Sequence, residues 1–268
     1  MDRMCRKFSN PFRPEYSSLY ESKIAEINDF GYFLFKGQYT MICSIQKVGS
    51  NSVHQFLQVL LEEHAKDELE QNALYLKAEE DGSFKPSAIF PVTNECWSDC
   101  ATNHTKVMLV RHPLERLLSA YFYIFAQEGK YYYQELTWEE FVHNIINYTE
   151  DNSRWKMIQD EVGGHWEPYW RVCQVCDPNL KPSYILKLET LREDLKVYLG
   201  NIGLAQYSDR FPWVNSREGH STSLRLLEYY SRLNRSTIED LYRAYEMDHV
   251  LFNYDPKPFF ELSSGNDP

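Results

Sequence analysis

Lys47, Gly49 and the run Ser50-Asn51-Ser52 follow directly on an apolar stretch, Ile42 to Ile45. A mobile ammonium, a glycine that admits close backbone approach and three hydrogen-bonding side chains suit an anion where a strand gives way to a helix. A second such place is Val107 to Tyr121, where Arg111 ends an apolar run and Ser119 lies further on, inside the predicted helix. An unpaired charge is costly at the end of a buried strand, so Arg111 reads as an anion ligand or as half of a structural ion pair. Arg116 reads as an ion-pair partner, with Glu115 or Glu189 as its carboxylate. Two such turns suit a ligand with two separate phosphate-like groups. Read blandly, each is an ordinary strand–helix turn with a solvated or paired cation.

The turn at Lys47 is not a Walker A loop. That motif places its Lys after the second glycine of G-x-x-x-x-G-K-[ST], whereas Lys47 precedes Gly49. A P-loop kinase is therefore the weaker reading, and no plain magnesium-binding Asp follows a strand.

The elements that would position these residues can be read from periodicity and breakers. Tyr39 to Ile45 and Lys106 to Val110 read as buried strands, and Tyr184 to Leu188 as a third. Val53 to Glu70 has apolar residues at helical spacing, and Pro113 fits the first turn of the next helix. Thr137-Trp138-Glu139-Glu140 opens another helix as a capping box. Further helices are expected over Thr190–Leu199 and Ser236–Glu246, the latter capped by Ser236 or Thr237. Residues 71–105 and 147–183 read as irregular connections. Strands alternating with helices imply a parallel sheet with crossover helices, whose ligands bind beyond the carboxyl ends of the strands. The expected class is α/β, a P-loop-like parallel sheet flanked by helices and carrying substrate-binding insertions. The expected organisation is an N-terminal extension over 1–36, one domain over 37–262 and a tail over 263–268.

The chain has 268 residues, 43% of them hydrophobic and 15% aromatic, ample for a core. Its formal charge of −11 argues against a nucleic-acid binder, so an anionic ligand must be held by local basic groups. No run of about 18 apolar residues occurs to span a membrane, and the first residues lack the apolar core of a signal peptide. The expectation is a chain with no targeting segment of its own, or the catalytic part of a longer anchored protein.

Six cysteines are present, among them the close pairs Cys96/Cys100 and Cys173/Cys176. The pairs suit disulfides, a four-thiolate zinc site or free thiols. Cys43 reads as a small core residue. Sequons at Asn103, Asn147 and Asn234 fit a secretory lumen.

Longer stretches of the chain resemble the Golgi carbohydrate sulfotransferases, specifically the group with the chondroitin/dermatan 4-O- and HNK-1-type enzymes. Their P-K-V-[AG]-[CS]-T-N is matched by Gln46 to Ser52, and their V-R-[DEH]-P-F-E-R-L-[LV]-S-A-Y by Val110 to Tyr121, with Leu114 for Phe. His165-Trp166-x-Pro168, Cys173-x2-Cys176 and Lys187-Leu188-Glu189-Thr190-Leu191-x2-Asp194 are similar to later family stretches, as is Tyr229 through Tyr254. The resemblance runs in order from about residue 39 to 255.

The resemblance implies a donor, 3′-phosphoadenosine 5′-phosphosulfate (PAPS), no metal, and transfer of its sulfuryl group to a sugar hydroxyl of a glycan or proteoglycan, with chondroitin-type chains among the acceptors to expect. It implies that Lys47, Val48, Gly49, Ser50, Asn51 and Ser52 hold the 5′-phosphosulfate, with Lys47 neutralising the leaving oxygen. It implies that Arg111, Arg116 and Ser119 serve the 3′-phosphate end. It also implies a Golgi lumen or Golgi membrane setting, with membrane attachment only through an anchor absent from this chain. The chain departs from the family at Gln46, Asn51, Val53 and His54, which keeps open a catalytically weak relative that binds nucleotide or glycan.

The general base is open among His54, His165 and His112; His54, one turn from the Lys47 loop, is the first choice. The insertions 71–105 and 129–180 are the expected acceptor walls. Trp97, Tyr131, Tyr132, Tyr133, Trp138, Trp155, Trp166 and Trp170 are there to meet sugar rings or to pack as core. Arg154, Lys156 and Arg171 are there to meet acidic groups.

Overall fold

The computed structural model describes residues 30–35, 38–43, 45–53, 55–56, 90–91, 105–126, 136–147, 158, 162–212 and 222–263. They fall into two compact units: one holds the described residues of 111–172 and 216–263, the other those of 30–110 and 173–215.

The second of these is a sheet unit. Its strands are β1 (Phe30–Phe35), β2 (Gln38–Cys43), β3 (Phe90–Pro91), β4 (Thr105–Val110) and β5 (Tyr184–Lys187), in the order β3-β1-β2-β4-β5. β2, β4 and β5 are parallel neighbours, with Cys43 opposite Met108 and Val110 opposite Lys187. β1 runs antiparallel to both β2 and β3. The sheet is therefore mixed, and the expected parallel sheet is its three-stranded part. β1 lies ahead of residue 37 yet pairs along the whole of β2, from Phe30 with Cys43 to Phe35 with Gln38. Parallel strands need crossovers, which residues between β2, β4 and β5 supply, whereas β1 and β2 need only a tight turn.

The end of β2 and the last four residues of β4 are buried: Met41, Ile42, Val107, Met108, Leu109 and Val110 are all under 5% exposed, the near-continuous apolar run that a sheet covered on both faces requires, whereas β5 buries only Leu186. After β5 a short 3-10 turn leads into a helix over Leu191–Asn201, whose Leu191, Leu195, Tyr198 and Leu199 are buried. Tyr198 donates its hydroxyl to Thr40 Oγ1 at 3.4 Å.

The other unit is helical. In chain order, α1 is Pro113–Tyr121 and α2 is Trp138–Ile146; α3 is Tyr169–Val172, and α4 is the Leu191–Asn201 helix of the sheet unit. α5 is Thr222–Tyr230, α6 is Arg235–Ala244, α7 is Glu246–Leu251 and α8 is Lys257–Phe260. α1 begins with Pro113 in its first turn and runs on into a π-helical turn, Phe122–Ala126. Such widened turns are frequent at functional sites. α2 carries the expected capping box: Glu140 N–H donates to Thr137 Oγ1 at 3.2 Å, and Thr137 N–H donates to Glu140 Oε2 at 2.8 Å. α6 is capped by Asn234, whose Oδ1 accepts the Thr237 N–H at 2.8 Å, rather than by Ser236 or Thr237. Asn prefers this place as strongly as Ser and more than Thr.

The core of this unit gathers Leu114, Leu117, Leu118, Tyr121, Trp138, Phe141, Trp166, Tyr230, Leu241 and Phe259. Trp138 and Trp166, at 1% and 2% exposure, are thus core and not acceptor wall. Trp170 is half-buried; Trp97, Tyr131, Tyr132, Tyr133, Arg154, Trp155 and Lys156 lie outside the described residues. The connection expected over 147–183 carries regular turns: Gly163–His165 is 3-10 helical and α3 follows it.

Cys43 is not a lone core thiol. It is bonded to Cys173 across a sequence separation of 130 residues, with Cα atoms 5.9 Å apart. Cys176 is also disulfide-bonded, so Cys173 and Cys176 are neither paired with each other nor thiolates for zinc. No free cysteine and no metal-binding cluster occurs among the described residues. None of the described helices is long and apolar enough to cross a membrane.

Candidate active site

In the sheet unit the turn after β2 is built around two left-handed residues, Lys47 (φ 69°) and Gly49 (φ 84°). A non-glycine residue there is strained by about 1–3 kcal/mol, and such strain clusters at functional sites. Gly49 needs its missing Cβ twice over: for its φ, and because that atom would sit 3.2 Å from Leu188 Cδ1. The end of β5 thus packs on the turn that follows β2. Val48 is 1% exposed and anchors the turn in the core, so it can offer an anion only its main chain. Ser50 to Val53 are helical, and Val53 N–H donates to Gly49 O at 3.2 Å. Asn51 is exposed, Lys47 and Ser50 are half-buried, and Ser52 is buried. His54 lies outside the described residues.

The Cys43–Cys173 bond holds β2 at its last residue, just ahead of this turn. Asp194 holds the end of β5: its Oδ2 accepts the Lys187 N–H at 2.8 Å and the Thr190 hydroxyl at 2.9 Å. The Lys187-to-Asp194 stretch therefore works as a brace for Leu188, a role its sequence did not disclose.

In the helical unit Arg111 is half-buried, and its guanidinium is engaged. Nε and Nη2 donate to Glu115 Oε2 at 3.3 and 3.0 Å. The two side chains are 12% and 19% exposed; Arg111 lies two residues ahead of α1 and Glu115 lies in its first turn. Ser119, half-buried, stands one turn beyond Glu115 on the same face of α1. Glu115 already engages the Arg111 guanidinium, so any further anion there must compete with that carboxylate or join it.

Arg116 is 1% exposed. Its guanidinium donates to Glu167 O at 2.6 Å and Gly164 O at 2.8 Å, and lies 4.6 Å from the centroid of the Tyr169 ring. These contacts give it a structural role, tying α1 to the Gly163–Tyr169 stretch.

His112 has both ring nitrogens on the main chain. Nδ1 accepts the Leu114 N–H at 3.3 Å, and Nε2 lies 3.2 Å from Asp255 O. One neutral tautomer satisfies both, with its proton on Nε2. The ring stacks on Phe259 at 4.4 Å. His112 is thus a helix cap and core residue, and not a general base. His165 is partly exposed and stacks on Tyr123 at 5.3 Å, and its Nδ1 lies 3.0 Å from Val162 O.

His249, which sequence reasoning passed over, stands 5.0 Å from the His112 ring. Its Nε2 is buried without a hydrogen-bond partner. Burial first, then His112, pushes its pKa down to about 4. The unfolded chain takes that proton near 6.5, so the stability held in the neutral ring is present above 6.5 and lost as pH falls towards 4. Asp248 runs the other way. Burial raises its carboxyl to about 7 from 3.8, so its contribution is full below 3.8 and lost as pH rises to 7. His249→Phe is expected to flatten the acid limb of the melting-temperature profile between about pH 6.5 and 4. A variant profile parallel to the wild type would contradict this.

Residues 31–255 match the family model described as the sulfotransferase family. Similar proteins include carbohydrate sulfotransferase 9 of Homo sapiens, 30% identical over 175 residues, which are 56% of this chain and 38% of that protein. Carbohydrate sulfotransferase 8 of Mus musculus is 25% identical over 192 residues, 60% of this chain and 42% of that protein. Carbohydrate sulfotransferase 10 of Danio rerio is 24% identical over 247 residues, 83% of this chain and 66% of that protein. The match thus spans about two fifths of the first two relatives' length. No solved structure matches the chain significantly.

Proposed function

We propose that this chain, which belongs to the sulfotransferase family, moves a sulfuryl group from PAPS to a hydroxyl of a glycan. The observation that supports this best is the family match over 31–255, which takes in both strand-end turns. The names of the similar proteins support a carbohydrate acceptor. A chondroitin-type chain is the first acceptor class we would try.

In this reading the Lys47–Ser52 turn receives the 5′-phosphosulfate, through main-chain N–H groups and the side chains of Ser50, Asn51 and Ser52. The 3′-phosphate is assigned to Arg111 and Ser119, and Arg116 keeps its structural role. The sugar hydroxyl attacks sulfur as the bond from sulfur to the bridging oxygen breaks. The new O–S bond makes the sulfate ester, and 3′-phosphoadenosine 5′-phosphate (PAP) leaves with the electron pair. Lys47 neutralises charge as it grows on that oxygen. The hydroxyl proton passes to a base, for which His54 remains our candidate. No metal is needed in this scheme.

The disulfide supports an oxidising compartment such as the Golgi lumen. The test is transfer of labelled sulfuryl from PAPS to a panel of desulfated glycans. Incorporation into a glycan is the expected result. Tight PAP binding with no incorporation into any acceptor would favour a catalytically weak relative, to which Gln46 and Asn51 would then point.

A further inference from the structure

We propose that Tyr169 and Asp248 are positioning residues for Arg111, and that through them the protein tells a 3′,5′-bisphosphate nucleotide from a 5′-monophosphate. The inference rests on the reading of Arg111 as the 3′-phosphate ligand.

Arg111 is the first residue after β4, where ladder hydrogen bonds stop. Its main chain is nevertheless held on both sides by one atom. The Arg111 N–H donates to Tyr169 Oη at 3.0 Å, and the Tyr169 hydroxyl donates to Arg111 O at 3.0 Å. The Tyr169 ring is fully buried. Burial pushes its hydroxyl pKa far up, so the proton that makes the second bond stays in place at any working pH.

Tyr169 is itself held from three directions. The Asp248 carboxylate accepts the Tyr169 N–H at 2.8 Å on Oδ2 and the Trp170 N–H at 3.0 Å on Oδ1, satisfying N–H groups that the first turn of α3 leaves without helical partners. The Arg116 guanidinium covers one side of the ring, and Phe252 meets it edge-on at 5.6 Å. A chain of contacts therefore runs from α7 through α3 to the main chain of Arg111, while Glu115 aims the guanidinium. A guanidinium grips a phosphate through a rigid fork, and an error of 1 Å in placing such a group is enough to cost on the order of 10²-fold.

Tyr169→Phe removes one oxygen and keeps the ring. The experiment is calorimetric titration of wild type and variant with PAP and with adenosine 5′-phosphate, alongside melting curves. For the variant we expect about a tenfold loss of PAP affinity, with adenosine 5′-phosphate affinity within about twofold of wild type. A merely structural role would lower both affinities together, or neither, and either result overturns the proposal. Should Tyr169→Phe fail to fold, Asp248→Asn gives the same reading. It keeps one acceptor for the two N–H groups, and is expected to lower PAP affinity severalfold with the same selectivity. A wild type that binds PAP no tighter than adenosine 5′-phosphate would sink the reading of Arg111 and this inference with it. A selective wild type with an equally selective Tyr169→Phe would sink this inference alone.

Discussion

Lys47→Ala is expected to lower kcat for sulfuryl transfer by about 10²–10³-fold while PAP affinity falls only severalfold. The unequal loss follows from what the ammonium would see. In the proposed site the whole Lys47–Ser52 turn would meet the 5′ end of the donor, so one charge would be a modest share of binding. As the bridging oxygen leaves, its charge grows, and the side chain nearest that growth contributes most to the transition state. The strained backbone of Lys47 (φ 69°) is what such placement costs, because glycine would sit there with less strain. Lys47→Arg keeps the charge but replaces a compact ammonium by a planar fork, and should recover only part of the rate. Initial rates and PAP titration on the three proteins check this. Unchanged kcat in Lys47→Ala would remove Lys47 from the chemistry.

Breaking the Cys43–Cys173 bond has the next largest expected effect. A cross-link spanning 130 residues removes much of the freedom of the unfolded chain. Loop-entropy reasoning puts its contribution at roughly 4–5 kcal/mol. The paired Cys43→Ser, Cys173→Ser variant should melt on the order of 10 °C lower than wild type, and added reductant should lower the wild type towards the variant. The bond also ends at the residue from which the chain enters the Lys47 turn, so the variant should lose activity below its melting range. A paired variant that melts within about 2 °C of wild type would show that burial alone holds β2.

The elements that pack by repeated apolar residues were the ones legible in the sequence. β4 and β5 came within a residue of their expected ends, and Thr137 and Glu140 announced α2 because a capping box needs only local chemistry. β1 was not foreseen. Its aromatic run is a sound strand signal, but upstream prolines made the whole stretch read as an extension, and only pairing with β2 decides it. Cys43 read as a core residue because burial is common to both a free thiol and a bridged one. Its partner is set by the fold and not by spacing. The contacts that hold Arg111 were beyond reach for the same reason: Tyr169 and Asp248 lie 58 and 79 residues from what they hold. Local rules say nothing about such pairs. Asp248 carried no local signal either, because Glu246 and His249 stand beside it and make it read as one more polar residue of a surface turn.

The proposed function stands or falls with recognition of a nucleotide by a 3′-phosphate as well as a 5′-phosphate. Calorimetric titration with PAP, adenosine 5′-phosphate and ATP, on wild type and on Arg111→Ala, tests it most directly. Wild type is expected to bind PAP at least tenfold tighter than either competitor, with that preference lost in Arg111→Ala while the melting curve is kept. Equal binding of the three nucleotides, or a preference that survives Arg111→Ala, would contradict it.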